Sequence, residues 1–408
     1  MKSSVALREP QAADEIGIVE TLVHRFARNP LSILLLCETS WELFRANAVE
    51  GGICYFRAHG TAVVWSDPLC AGKDVGATLC EFRAAMNEAG LRTCFLAIGE
   101  DTARESLGRH SAVLKVGEEP VFDLRTWKRP RGDRGKRLRW SLNKAEKEGI
   151  EVTRYTPAEA RQPRLEAEIR SVLAQWQSSL GRESTSTILR TAPLENAQCK
   201  QIFLARRAGR LEAVLACSPV YGRNGWYLED LIRLPESPHG TTELLTVAAL
   251  ESLAAQGFEY ASLGIAPLHG FEEQIDSRAR WLVAALRLVF DRLDARFHFK
   301  ALSTYKSKFG PTSWEPSYVA ISPAWPSMRL IRAVLAVLDA PGEAPRTRAS
   351  SAIAAATQVP VLARVGALGL ASVSLWQRLS LGGSLGTAFT GVGVAVLLWV
   401  VGGLFSEV

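Results

Sequence analysis

Two short, mainly apolar runs, 51–58 (GGICYFRA) and 61–65 (TAVVW), lie on either side of His59-Gly60. Strand-like runs flanking a glycine turn predict a β-hairpin. Beyond the loop SDPLCAGKD, Leu79, Phe82, Ala85 and Met86 recur at helical spacing up to Gly90, and the run RTCFLAI follows as a strand. The succession then returns. EAVLACSPVY and GWYLEDLIRL flank residues 222–225; after PESPHG, Leu244, Leu245, Ala248 and Leu253 mark a helix ended by Gly257, and the strand EYASLGI follows. Two copies of one unit, in the order hairpin, loop, helix, strand, are the simplest account. The expected class is therefore α/β, of the α+β kind, with two tandem lobes.

The hydropathy pattern changes at the C-terminal end. Residues 379–406 carry no charge, and 385–405 (LGTAFTGVGVAVLLWVVGGLF) exceed the roughly 20 residues needed to cross a bilayer. A C-terminal transmembrane helix is expected, with Gly382 and Gly386 forming a G-x-x-x-G pair. Arg346, Arg348, Arg364 and Arg378 precede it and Glu407 follows, which places the folded part on the cytoplasmic face of the inner membrane. Residues 359–376 are apolar but interrupted by Arg364, compatible with an interfacial helix or a second span. Residues 339–351 (DAPGEAPRTRASS) read as a linker. The expected division is a first lobe at 1–125, a second at 126–338, a linker at 339–358 and a hydrophobic anchoring tail at 359–408. Residues 1–13 lack the basic start and apolar run of a secretory signal, so export is not expected.

Composition changes this picture little and charge changes it more. A chain of 408 residues with 47% hydrophobic content fills two cores, which excludes wholesale disorder. The seven cysteines are scattered, with no C-x-x-C, and argue against a zinc site or disulfide framework; Cys199 and Cys217 read as small core residues. Between residues 128 and 148, nine Lys or Arg face three acids, which accounts for the whole net charge of +6. Such a segment suits the phosphates of nucleic acid or of anionic lipid, or else forms a solvated helix face.

The second copy is the more polar. Glu229, Asp230 and Arg233 lie inside an apolar strand, so at least one faces a solvated cleft or is paired internally. Strand alternation puts Glu229 and Arg233 on one face and Asp230 on the other. The following loop leads through Gly240 to a helix start at Thr241 or Thr242, an anion site or an ordinary Thr cap. Farther on, Tyr305, Lys306 and Lys308 precede a Gly-Pro turn with Trp314 and Tyr318 beyond it. Lysines beside aromatics bind phosphate and cover a base, or simply close a helix end. His239 and His269 at loop edges read as bystanders.

These residues carry a family resemblance. Residues 136–139 (KRLR) and 141–149 (SLNKAEKEG) resemble the arginine- and asparagine-bearing helix in the C-terminal domain of phosphatidylglycerol lysyltransferases, the multiple peptide resistance factors. SDP (66–68), EDLIR (229–233), the loop with Pro238 and Gly240, SLGIAPL (262–268) and YKSKFGPTSWEPSY (305–318) are similar to that domain's successive motifs, in the same order, over residues 20–325. The resemblance implies two tandem GNAT-type lobes that move an aminoacyl group from aminoacyl-tRNA to the glycerol hydroxyl of phosphatidylglycerol, a doubling shared with the Fem peptidyltransferases. The sequence departs from the full-length enzymes in lacking their N-terminal membrane helices, which leaves lipid flipping unsupported. RLPESPHG does not supply the R-x-x-G-x-G/A loop that binds pyrophosphate in CoA-using relatives. Acetyl-CoA is disfavoured and no cofactor is expected.

Transfer from an activated ester needs positioning, a proton acceptor and charge stabilisation. Asp230 or Glu229 is expected to hold the donor's ammonium or accept the hydroxyl proton, Arg233 to fix a phosphate or a carboxylate, and Lys306 and Lys308 to neutralise phosphates. Arg137 and Asn143 are placed nearest the cleft by the resemblance, with Arg139, Lys144, Gly240, Thr241 and Tyr305 as further substrate-binding residues. Two other classes stay open: a GNAT-type acyltransferase using a thioester donor, and a non-catalytic, membrane-tethered module that binds anionic lipid or RNA.

Overall fold

The computed structural model describes residues 13–37, 40–108, 110–180, 191–276, 299–324 and 327–338. The predicted span 385–405, the segment 359–376 and the linker lie outside them. Among the described residues no helix is long and apolar enough to cross a membrane.

The first half of the chain forms α1 (Ala13–Phe26), β1 (Glu42–Arg45), β2 (Gly51–Ala58), β3 (Thr61–Trp65), β4 (Leu69–Cys70), α2 (Val75–Glu88), β5 (Arg92–Ile98), α3 (Glu100–Glu105) and β6 (Ala112–Asp123). The second half forms α4 (Lys136–Lys147), β7 (Ile150–Tyr155), α5 (Pro163–Leu180), β8 (Gln201–Arg207), β9 (Arg210–Val220), β10 (Gly225–Arg233), α6 (Thr241–Ala255), β11 (Tyr260–Ser262), β12 (Ala266–Pro267), α7 (Phe299–Ser307), β13 (Ser313–Ser322) and α8 (Met328–Leu338).

The duplicated unit is present. β2 and β3 pair antiparallel across His59 and Gly60, whose φ values of 45° and 72° supply the left-handed pair of a two-residue hairpin turn. α2 crosses over and β5 lies parallel to β3. In the second copy β9 and β10 pair antiparallel, α6 crosses over, and β11 lies parallel to β10. The helical spacing read in the sequence is what buries Leu79, Phe82 and Met86. The Phe82 ring meets Phe44, Tyr55 and Phe95 edge-on, with centroids 5.4, 5.5 and 5.8 Å away. Truncating such a ring to alanine costs about 3–5 kcal/mol.

The two copies share one sheet, in the order β1-β2-β3-β5-β13-β6-β11-β10-β9-β8-β7. At its centre β6 pairs antiparallel with β13, from Ala112–Ile321 to Val121–Ser313. β6 comes from the first half and borders β11 of the second, whereas β13 comes from the second half and borders β5 of the first. Each lobe is thus completed by a strand from the other side of position 125. α4 and α6 bury Leu138, Leu142, Leu245 and Leu250 against one face of the second lobe's strands. On the opposite face, Leu165, Ile169 and Val172 of α5 pack on Val214 and Ile232. The residues of β10 therefore meet two different surroundings according to their parity.

Candidate functional site

The acidic segment of β10 is bulged. Leu228 pairs with Cys217 of β9 and Asp230 with Ala216, so Glu229 is an extra residue in the strand. A bulge re-aims side chains and breaks the alternation of faces. Two consecutive carboxylates consequently reach one cation: the Nζ of Lys200, 5% exposed, lies 3.0 Å from Glu229 and 4.0 Å from Asp230. Ser218 Oγ donates to Glu229 at 2.5 Å, and the Ala192 backbone N–H donates to Asp230 at 3.0 Å. One ammonium balances one carboxylate. Burial, and then the like charge of Glu229, push Asp230 up to about 7. Burial opposes the charge on Lys200, but Glu229 and Asp230 outweigh it and raise its pKa.

Past the bulge the alternation resumes. Asp230 shares its face with Ile232, while Leu231 and Arg233 turn to the α4 and α6 side, where they line a cleft of about 1520 Å³. α4 contributes Arg137 and Trp140 to it, the preceding loop Arg134, the loop before α6 His239 and Gly240, and the chain around the end of α7 Tyr305 and Lys308. Arg134 and Arg137 make no ion pair among the described residues, and Arg233 donates to the carbonyls of Leu234 and Pro235, both at 3.2 Å. The cleft is therefore cationic.

Among the described residues its one lining carboxylate, Glu243, is committed. Lys308 Nζ lies 2.9 Å away and Thr242 Oγ1 donates at 2.8 Å. Burial favours the neutral acid, yet the Lys308 hydrogen bond and charge, with Thr242 and Glu243's own backbone N–H, hold the carboxyl below its ordinary range. The start of α6 thus carries a carboxylate of its own, which counts against the anion-site alternative there. The same start is crowded. Gly240 has φ +92°, and a Cβ on it would lie 2.0 Å from the Ser141 carbonyl oxygen of α4. Thr241 is buried and donates from both its backbone N–H and its hydroxyl to Pro238 O.

The two late lysines part company. Lys306 is 3% exposed, and its Nζ donates to the carbonyls of Gly264 at 3.1 Å and Ile265 at 2.9 Å. Burial lowers its pKa to about 7, with Glu119 opposing the shift. Glu119 is itself pushed up to about 7 by burial, although Ser262 and Tyr260 donate hydrogen bonds to it. The Lys306 ammonium lies where β11 ends: β10 and β11 pair only as far as Tyr227 and Ser262, and β10 continues to Arg233 paired with β9 but without β11. Tyr227 bridges this region, since its ring packs against Gly264 while burial and the charges of Glu229, Glu119 and Asp230 raise its pKa.

Of the residues predicted from sequence, Arg137, Arg233, Gly240, Tyr305 and Lys308 come together in the cleft. Glu229, Asp230 and Lys306 do not line it, so the acidic strand and both lysines do not share one wall as expected. Arg139 donates to Gly132 O, Asn143 and Lys144 are exposed on α4 outside the cleft lining, and Thr241 is buried beneath it. The two histidines make fixed contacts with their neighbours. His269 Nδ1 lies 2.7 Å from Glu118 and its ring stacks on Trp314 at 4.0 Å, and His239 meets Trp140. Cys217 is a core residue, as read; Cys199 is half-buried. Sequence reasoning missed Lys200, Tyr227, Glu119 and Trp140. Only Trp140 left a signal, as an aromatic residue inside a basic helix.

The twin hairpin, helix and parallel-strand units, with the parting of β10 and β11 beside the cleft, define a mixed α/β, GNAT-like fold of the transferase type. The chain belongs to the family described as phosphatidylglycerol lysyltransferase, C-terminal, whose profile matches residues 20–321. It is similar to the crystal structure of the C-terminal domain of a candidate lysylphosphatidylglycerol synthetase from Agrobacterium fabrum, with TM-score 0.65, 19% identity and coverage of 80% of this chain and 98% of that one. It is also similar to L-PGS from Bacillus licheniformis, with TM-score 0.60, 21% identity and coverage of 78% and 93%. No curated protein matches the chain.

Proposed function

We propose that this chain transfers an aminoacyl group from aminoacyl-tRNA to the glycerol hydroxyl of phosphatidylglycerol at the cytoplasmic face of the inner membrane. The observation that carries this reading, beside the family, is the cationic cleft, where Arg134, Arg137, Arg233 and Lys308 surround a volume of about 1520 Å³ next to the buried Lys306. Both proposed substrates are polyanions or anions bearing phosphate, and such a cleft concentrates them.

In the proposed reaction Arg134, Arg137, Arg233 and Lys308 hold phosphates. Lys306, whose pKa burial lowers to about 7, is the proposed acceptor of the lipid hydroxyl's proton; its Nζ lies behind the cleft wall at Tyr305 and Ser307, so the hydroxyl has to reach past them. The hydroxyl oxygen attacks the ester carbonyl, the bond from that carbon to the tRNA ribose oxygen breaks, and the proton passes to the departing ribose oxygen. Lys200 balances only one of the carboxylates of Glu229 and Asp230, and the second, when ionised, is the proposed counter-charge for the cargo's ammonium, on the side where β11 parts from β10. A thioester donor is disfavoured by the crowding of Gly240 against Ser141 and by the Glu243 carboxylate at the start of α6, both where a pyrophosphate would need free amides.

The test is transfer of radiolabelled aminoacyl groups from charged tRNA to phosphatidylglycerol vesicles, beside a thioester donor. The reading expects label in the lipid from tRNA alone, with Arg233→Ala and Lys308→Ala raising the donor KM roughly tenfold each. Label from the thioester alone overturns it. A second reading, a binding module without catalysis, is favoured by the burial of Asp230 and its pairing with Lys200; binding without any transfer would establish it.

A further inference from the structure

Trp140, 57% exposed, is the most exposed large hydrophobic side chain among the described residues. An isolated apolar side chain at a surface calls for no explanation, but this one lines the concave cationic cleft rather than a convex surface. Its indole is held. The His239 ring meets it nearly edge-on, with centroids 4.8 Å apart at 64°, and Lys144 Nζ lies 5.5 Å from its centroid. Arg137 lies one helical turn before it on α4, and Arg134 in the loop that leads into that helix. A π-surface fixed among cations that have no carboxylate partner among the described residues is what single-stranded nucleic acid uses: the base stacks while its phosphates are neutralised.

Resting on the proposed tRNA donor, we infer that Trp140 is the platform on which the terminal bases of the donor's single-stranded 3′ end stack, with Arg134, Arg137 and Lys144 on the adjoining phosphates. Concavity decides between occupants. A flat bilayer cannot follow an indole into a cleft, whereas a single strand a few nucleotides long enters it. Stacking is tolerant of base identity, so the platform secures the strand's position, and the choice of tRNA lies elsewhere.

The experiment uses the full-length protein and two labelled RNA hairpins, one ending in a single-stranded 3′ CCA and one blunt-ended, with anionic phosphatidylglycerol vesicles as a separate arm. Wild-type protein is expected to bind the CCA-ended hairpin roughly tenfold more tightly than the blunt one, a difference that Trp140→Ala abolishes and Trp140→Phe largely keeps. Vesicle binding stays the same in all three proteins. In transfer assays Trp140→Ala raises the KM for charged tRNA and leaves kcat near its original value. The inference is overturned if wild-type protein does not distinguish the hairpins, if Trp140→Ala still does, or if that variant loses vesicles instead of RNA. Hairpin discrimination that depends on Trp140 in a protein that transfers nothing to lipid would support the platform and refute the proposed reaction, so the two failures are separable.

Discussion

The Lys200 ammonium lies 3.0 Å from the Glu229 carboxylate inside the second lobe, at a distance that only a bulged β10 permits while Asp230 shares the same cation. Removing one member of a buried ionic group is costlier than removing the whole group, because the survivors are left charged in a poor solvent. Lys200→Met is expected to lower unfolding free energy by about 3–5 kcal/mol in urea titrations, and adding Glu229→Gln to recover part of it. Equal losses in the single and double variants would count against this account.

Asp230 gives the fold a pH dependence. Its carboxyl titrates near 7 in the native chain against 3.8 for the ordinary group, so the neutral form is favoured by folding. Stability from that preference is fully present below about pH 4 and is lost as pH rises towards 7. Asp230→Asn keeps a neutral group at every pH. Its stability relative to wild type should therefore climb between pH 4 and pH 7 and level off above, as read from denaturation midpoints; a constant offset would show that Asp230 ionises normally.

Lys306 should govern the pH profile of transfer. With its pKa lowered to about 7 by burial, the wild-type rate rises as pH increases through neutrality and then flattens. Lys306→Arg remains cationic throughout and should lose both that rise and roughly 100-fold or more in kcat. An arginine variant with the wild-type profile would assign the proton transfer to another group.

Gly240→Ala combines a positive φ with a Cβ that would collide with the Ser141 carbonyl. A loss of about 2 kcal/mol or more is expected in thermal melts. A normal melting temperature would mean that α4 and the start of α6 are not in close contact.

The repeated unit was legible because it is written in local sequence: the apolar run at 61–65, the helical spacing of Leu79, Phe82 and Met86, and the turn at His59-Gly60 all act between near neighbours. The site was legible in part for the same reason. Arg137, Arg233, Tyr305 and Lys308 stand in motifs whose elements converge. What stayed hidden depends on distant pairing. The bulge at Glu229 is set by its register with β9, the partnership of Lys200 with β10 by the start of β8, two strands away in the sheet, and the burial of Lys306 by carbonyls of Gly264 and Ile265. Parity arguments on an ideal strand could not assign Glu229, because the extra residue suspends the parity they rely on. The run EYASLGI formed a strand only over Tyr260–Ser262, since Gly264 adopts φ +71° and turns the chain.

The pairing of β6 with β13 also sets a timetable for synthesis. The nascent chain emerges with β5 and β6 already made, yet the strand that joins them leaves the ribosome only after all the helices up to α7. Two neighbouring edges stay open for most of translation, a state prone to mispairing with other chains. Completion is late and concerted: a chain stalled before residue 313 has neither lobe finished, and β13, the last strand among the described residues, closes both together.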